Sequence, residues 1–151
     1  MHERWMAEAH EEALKALALN EVPIGAVIVR NGKIIGRGHN LVETKKDPTA
    51  HAEIIALQDA ASKSESWRMN GAWLYVTLEP CPMCMSALHL ARLNKIVFGA
   101  KDPRFGACGS YIDLKSMEAM TTPFEIVHGV MADASSALLK QFFRELRKKE
   151  K

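Results

Sequence analysis

What the chain lacks narrows its reading first. Cysteine is scarce, three residues in 151, and an odd count argues against a disulfide framework. Long hydrophobic runs are missing. The longest apolar stretch, residues 24–29, is far too short to span a membrane. The opening Met1-His2-Glu3-Arg4-Trp5 has none of the basic-then-apolar pattern of a secretory leader, so a cytoplasmic protein without a membrane partner is expected. No internal repeat, low-complexity segment or linker interrupts the chain, and residues 1–151 read as one domain, within the usual span of ~100–200 residues. Strong charge is absent too. A net charge of +2 is too small to argue for nucleic acid by itself.

What is present is an ordinary globular composition, 48% hydrophobic and 25% charged, sufficient for a core without disulfide staples. Cations crowd the C-terminus at Lys140, Arg144, Arg147, Lys148, Lys149 and Lys151. They read either as a solvated helix end favoured by the helix dipole or as contacts to a phosphate backbone.

Periodicity supplies the elements. Residues 2–19 read as an amphipathic helix burying Met6, Ala9, His10, Ala13, Leu14 and Leu17. His10 on that face reads as a packed residue, not a ligand. Two β-branched runs flank Asn31-Gly32, a strong hairpin signal. A polar loop over 42–49 leads to a helix at 50–63, a strand at 72–78, and a helix from Pro82 to about residue 91, since proline suits a first helical turn. A strand at 95–99, a glycine-rich loop at 101–110 and a strand at 124–128 follow. Asp133 is expected to cap a last helix that buries Leu139, Phe142, Phe143 and Leu146. This order predicts a mixed sheet with helices on both faces.

Two motifs carry chemistry: His51-Ala52-Glu53 and Pro80-Cys81-Pro82-Met83-Cys84. Each falls where a loop or strand gives way to a helix. Cys81 and Cys84, three apart, share one side of a first turn, where the helix dipole favours thiolates. His51 completes a set of one imidazole and two thiolates suited to Zn2+. Three protein ligands leave a position for water, the mark of catalytic and not structural zinc. Glu53 is two residues from His51, so it reaches the same metal only if the centre lies off the helix end. It then serves as the acid/base beside the activated water and not as a ligand. A redox Cys-x-x-Cys pair beside an unrelated helix start is the competing reading. Cys108 receives no role.

His-x-Glu followed by Pro-Cys-x-x-Cys matches the signature of zinc nucleobase deaminases. At these residues the chain resembles the cytidine deaminase superfamily, and within it the bacterial tRNA-specific adenosine deaminases. The resemblance runs through Glu21-Val22-Pro23-Ile24-Gly25-Ala26, the stretch from Asp47 to Leu57, the stretch from Leu74 to Cys84, the Phe98–Ser110 loop and the ending around Phe142-Phe143-Arg144. It implies an α/β fold, a three-layer α/β/α sandwich with a mixed five-stranded sheet. It also implies a homodimer that converts adenosine to inosine at the wobble position of the tRNA anticodon loop. By the same resemblance Asn40 hydrogen-bonds the bound base and Asp102 contacts the nucleotide near the target. Lys101, Arg104, Arg144 and Lys148 are candidate RNA contacts. The chain departs from the family pattern at Met120-Thr121-Thr122-Pro123-Phe124 and at Met85-Ser86-Ala87. Two other functions share these motifs: deamination of a free base or nucleoside of the guanine or cytosine type, and a non-catalytic, zinc-stabilised RNA-binding subunit.

Overall fold

The computed structural model describes residues 1–116 and 123–150. Among the described residues ten elements follow one another: α1 (His2–Ala18), β1 (Gly25–Arg30), β2 (Lys33–His39), α2 (Val42–Lys45), α3 (Ala52–Ser64), β3 (Trp73–Leu78), α4 (Pro82–Leu90), β4 (Lys95–Ala100), β5 (Glu125–Val127) and α5 (Ala132–Lys149). The strands form one sheet in the order β2-β1-β3-β4-β5. β1 runs antiparallel to β2 and β3, whereas β3, β4 and β5 are parallel. The mixed sheet expected from the opening hairpin is therefore present.

Alternation along the strands builds two cores. Ala26, Ile28, Leu74, Val76, Ile96 and Phe98 face Ala52, Ala56 and Ala60 of α3 and Met85 and Leu88 of α4. On the other side Val27, Val29, Tyr75 and Val97 meet Trp5, Met6 and Ala9 of α1, and α5 also packs on β4. These are the three layers of the expected α/β/α sandwich. Gly38 sets the spacing of α3, because a Cβ there would overlap the Ala52 carbonyl and the Ala56 nitrogen. The start of α3 is thereby held tight against β2.

Four local readings are corrected. The buried face of α1 runs through Trp5, Met6, Ala9, Glu12, Ala13 and Ala16, and Leu14 is 38% exposed. Glu12 displaces the apolar register because Lys15, Arg37 and His39 satisfy its carboxylate in place of water. The polar loop contains the short helix α2, whose Leu41 N-cap contributes no side-chain cap. The buried Glu21 supplies one from a distance, accepting the N–H groups of Glu43 at 3.1 Å and Thr44 at 2.6 Å. Asp133 does not cap α5. The N-cap is Met131, with φ 55°, and Asp133 lies in the first turn. Finally, α5 buries Ser135 and Leu138, while Phe143 and Leu146 stay 38% and 39% exposed. Of the departure at 120–124, residues 120–122 lie outside the described residues, while Phe124 is buried in the core; Met85 is a fully buried core residue.

Candidate active site

The two motifs meet at the N-terminal ends of neighbouring helices. His51 is the extended N-cap of α3, with φ −73° and ψ 155°. Cys81 is the extended N-cap of α4, Pro82 takes its first turn, and Cys84 follows one turn in. His51 Nδ1 lies 3.5 Å from Cys81 Sγ and 3.6 Å from Cys84 Sγ. All three donor atoms lie within 4.8 Å of one another. Zn–N and Zn–S bonds at tetrahedral angles need N···S separations of about 3.6 Å. Both His51–cysteine separations match that spacing, so the donor set suits a zinc ion.

Glu53 enters from the second position of α3 and is 4% exposed. The convergence that its spacing alone did not guarantee comes from the helix end pointing into the site. Burial, reinforced by the negative charge of Cys81, raises the Glu53 carboxyl to about 7. In the metal-free chain the thiols share their protons unequally. The hydrogen bond from Cys84 and the nearby His51 lower Cys81 to about 4. Its bond to Cys81, together with burial, pushes Cys84 well above the ordinary thiol range. The hydrogen bond to Cys81 also raises His51. Helix dipoles of α3 and α4 add their positive ends to the same point. Such a site gathers a proton-exchanging carboxyl and an anionic donor set in one place.

A cavity of about 690 Å3 opens in front of these groups, within the usual size of a small-ligand site. His51, Glu53 and Cys81 form part of its wall, and Asn40 and Asp102 line it as well. The Asn40 amide accepts the Val42 N–H at 3.2 Å and donates to the Val22 carbonyl at 3.3 Å. Asp102 accepts the N–H groups of Arg104 and Phe105 at 3.1 and 3.3 Å. Lys101 and Arg104 are exposed on the same loop. The apolar side of α5 that was expected in the core instead turns Phe142, Phe143 and Leu146 to this cavity. Arg144 and Lys148 are exposed on that helix, Lys148 lying 3.5 Å from Glu145.

Glu79 was not singled out by motif reading, yet it organises the rim. It is 3% exposed. Its carboxylate accepts the backbone N–H groups of Asp102 at 3.1 Å, Cys108 at 2.8 Å and Ser110 at 3.2 Å, and also the Ser110 hydroxyl. Burial alone would raise this carboxyl, but those donors outweigh it and hold the group below the ordinary glutamate value. Gly106 is required beside it, since a Cβ there would collide with the Glu79 carboxylate. The available signal was Glu79 adjoining Pro80 at a strand end and facing a glycine-rich loop. Cys108 packs against Met85 Sδ at 3.6 Å, and burial pushes its thiol up to about 12. It is an inert neighbour of the site.

Comparison with known proteins agrees with this arrangement. The family model for MafB19-like deaminases matches residues 1–147. A tRNA-specific adenosine deaminase of Bacillus subtilis (strain 168) is 50% identical, covering 99% of this chain and 92% of the relative. One of Haemophilus influenzae is 44% identical, covering 99% and 87%. A structure solved in a study of A-to-I editing by tRNA:A34 deaminases superposes with a TM-score of 0.85 at 38% identity, covering 89% of this chain and 98% of that one. A guanine deaminase from Nitrosomonas europaea shares the fold more distantly, at TM-score 0.77 and 25% identity, covering 93% and 83%. With nearly its whole length matched, and with a His/Cys/Cys donor set beside a buried glutamate, this chain belongs to the MafB19-like deaminases and, among them, to the family of tRNA-specific adenosine deaminases.

Proposed function

We propose that this protein hydrolyses adenosine to inosine, releasing ammonia, at the wobble position of tRNA. The observation that carries the reading is Glu53, a buried carboxyl beside His51, Cys81 and Cys84 in the wall of a cavity of about 690 Å3. His51, Cys81 and Cys84 would hold zinc, which when bound supplies an activated water for attack on the carbon bearing the amine.

The chain's own groups do the rest. The Glu53 carboxylate takes one proton from the attacking water and passes it to the adjacent ring nitrogen of the base. As the carbon–nitrogen bond breaks, it takes the proton of the newly added hydroxyl, which becomes the carbonyl, and hands it to the departing amine, so ammonia leaves and the ring nitrogen keeps its proton. Asn40 spends one acceptor and one donor on Val42 and Val22. A side-chain amide has two of each, so one pair remains to orient the base. Asp102 contacts the nucleotide near the target from the loop that Glu79 holds. Lys101, Arg104, Arg144 and Lys148 meet phosphates, which position RNA without reading its sequence. Unstacked anticodon-loop bases can be splayed into such a pocket.

The reading includes a cytoplasmic homodimer. No helix among the described residues is long and apolar enough to cross a membrane. An exposed patch of Leu90 (66%) and Trp67 (50%), flanked by Arg68 and Arg92, offers surface for a second copy. The decisive experiment compares inosine formation on a tRNA anticodon stem-loop with deamination of free adenosine, guanine and cytosine. Strong preference for the stem-loop is expected. Preference for a free base would overturn the assignment.

A further inference from the structure

The loop between Asp102 and Asp113 exposes more aromatic surface than its packing requires. Phe105 is 50% exposed and Tyr111 58%. Their rings lie 6.1 Å apart at 45°, and Phe105 lines the mouth of the cavity that holds Glu53. Aromatic side chains of this size are usually buried or engaged.

These two are not displayed by a loose segment. Asp102 fixes the Phe105 N–H at 3.3 Å, the Gly106 carbonyl accepts from Tyr111 at 2.9 Å, and the Glu79 carboxylate ties the loop at three backbone positions. Ordering this loop has therefore been completed before any ligand arrives, which lowers the entropy cost of binding. The same loop carries Lys101 and Arg104, both exposed and in no ion pair among the described residues. Aromatic faces interleaved with cations are the pattern by which proteins hold single-stranded nucleic acid, the rings stacking on bases and the cations meeting phosphates.

We propose that Phe105 and Tyr111 form a stacking platform for the base of the nucleotide adjoining the target. The platform rests on the RNA-deaminase reading and deepens it. With the target base lowered toward Glu53, its neighbour leaves the anticodon-loop stack and needs a new partner at the cavity mouth. Phe105 stands at that mouth, and Tyr111 extends its surface outward. The platform acts on binding and on orientation of the strand; it takes no part in the proton transfers.

The test uses the full-length zinc-loaded protein and three synthetic anticodon stem-loops: intact, abasic at the 5′ neighbour of the target, and abasic at the 3′ neighbour. Phe105→Ala should lower kcat/KM on the intact loop about 10-fold, mainly through KM. One abasic loop should cost the wild type a similar factor and cost Phe105→Ala nothing further. Phe105→Trp should restore the intact-loop value, and Tyr111→Ala should show a smaller loss of the same kind. Active wild type with an unchanged Phe105→Ala would overturn the platform alone. So would losses from Phe105→Ala and from both abasic sites that multiply independently. A change of oligomeric mass in Phe105→Ala would assign the rings to a copy-to-copy contact and overturn it as well. Wild type inactive on the intact loop would remove the parent reading, a distinct result.

Discussion

Glu53 and Glu79 are equally withdrawn from water, 4% and 3% exposed, and they flank the same cavity. Glu79 has four donors aimed at its two oxygens; it stays ionised and acts as a fixed post for the 101–110 loop. Glu53 has thiol, thiolate and imidazole for neighbours, and burial dominates, so its proton affinity rises to about 7. Burial therefore does not determine what a carboxylate does. The donors around it decide whether it holds structure or exchanges protons.

The largest expected effect comes from dismantling the donor set beside Glu53. His51→Ala or Cys84→Ala, or stripping metal with a chelator, should abolish inosine formation, and zinc should restore only the chelated wild type. Metal content measured beside turnover checks this. Glu53→Gln comes next. It should retain zinc while losing about 10²–10⁴-fold in kcat, the usual contribution of a positioned acid/base. Near-normal turnover in that variant would erase the distinction between the two glutamates.

Glu79→Gln should leave zinc bound but destabilise the fold by about 3 kcal/mol, since hydrogen bonds to a buried charge become mismatched. That corresponds to a fall of about 10 °C in Tm for a chain of this size. The accompanying disorder of the loop should raise KM for RNA more than it lowers kcat.

The two groups should also give opposite pH signatures in metal-free protein. Glu53 is raised from 4.5 to about 7. The folded state then holds a proton that the unfolded state has lost, and stability falls as pH climbs through that window. The Tm advantage of Glu53→Gln over wild type should grow across it. Glu79 lies below 4.5. Its stabilisation is present above the unfolded value and vanishes as pH drops through the folded one. The Tm deficit of Glu79→Gln should shrink there. Differential scanning calorimetry from acid to neutral pH separates the two. The smallest effect is electrostatic: Lys101→Ala or Arg104→Ala should each reduce the slope of log K against log salt for RNA by about 0.7.

Much of the centre was readable because its signals are local. Helix starts, a proline in a first turn and a three-residue cysteine spacing all act within one turn of chain. Those signals put His51 and Cys81 at helix starts and Cys84 one turn in; the sheet then brings the two starts together, and Glu53 with them. Misreadings arose where a distant residue decided the outcome. Glu12 looks like a solvent-facing position until Arg37 and His39 of β2 arrive beside it. The helix over Val42–Lys45 has no cap within its own sequence, because Glu21 provides it. The aromatic stripe of α5 has the period of a core face, yet beyond Leu138 it meets a cavity and not the sheet. Periodicity reports that a face will be covered, without naming what covers it.

The placement of the donors at two helix starts also orders events during synthesis. His51 and Cys81 are 30 residues apart in the chain, and all of α3 and β3 lies between them. β3 must pair with β1 before the two helix starts stand side by side, while β4 emerges later still. A ribosome-bound chain ending at residue 75 thus owns one donor and no centre. On the proposed zinc reading metal uptake is a late step, and an ion bound there would fasten the closed 30-residue loop, favouring completion of the sheet over release of a half-formed one.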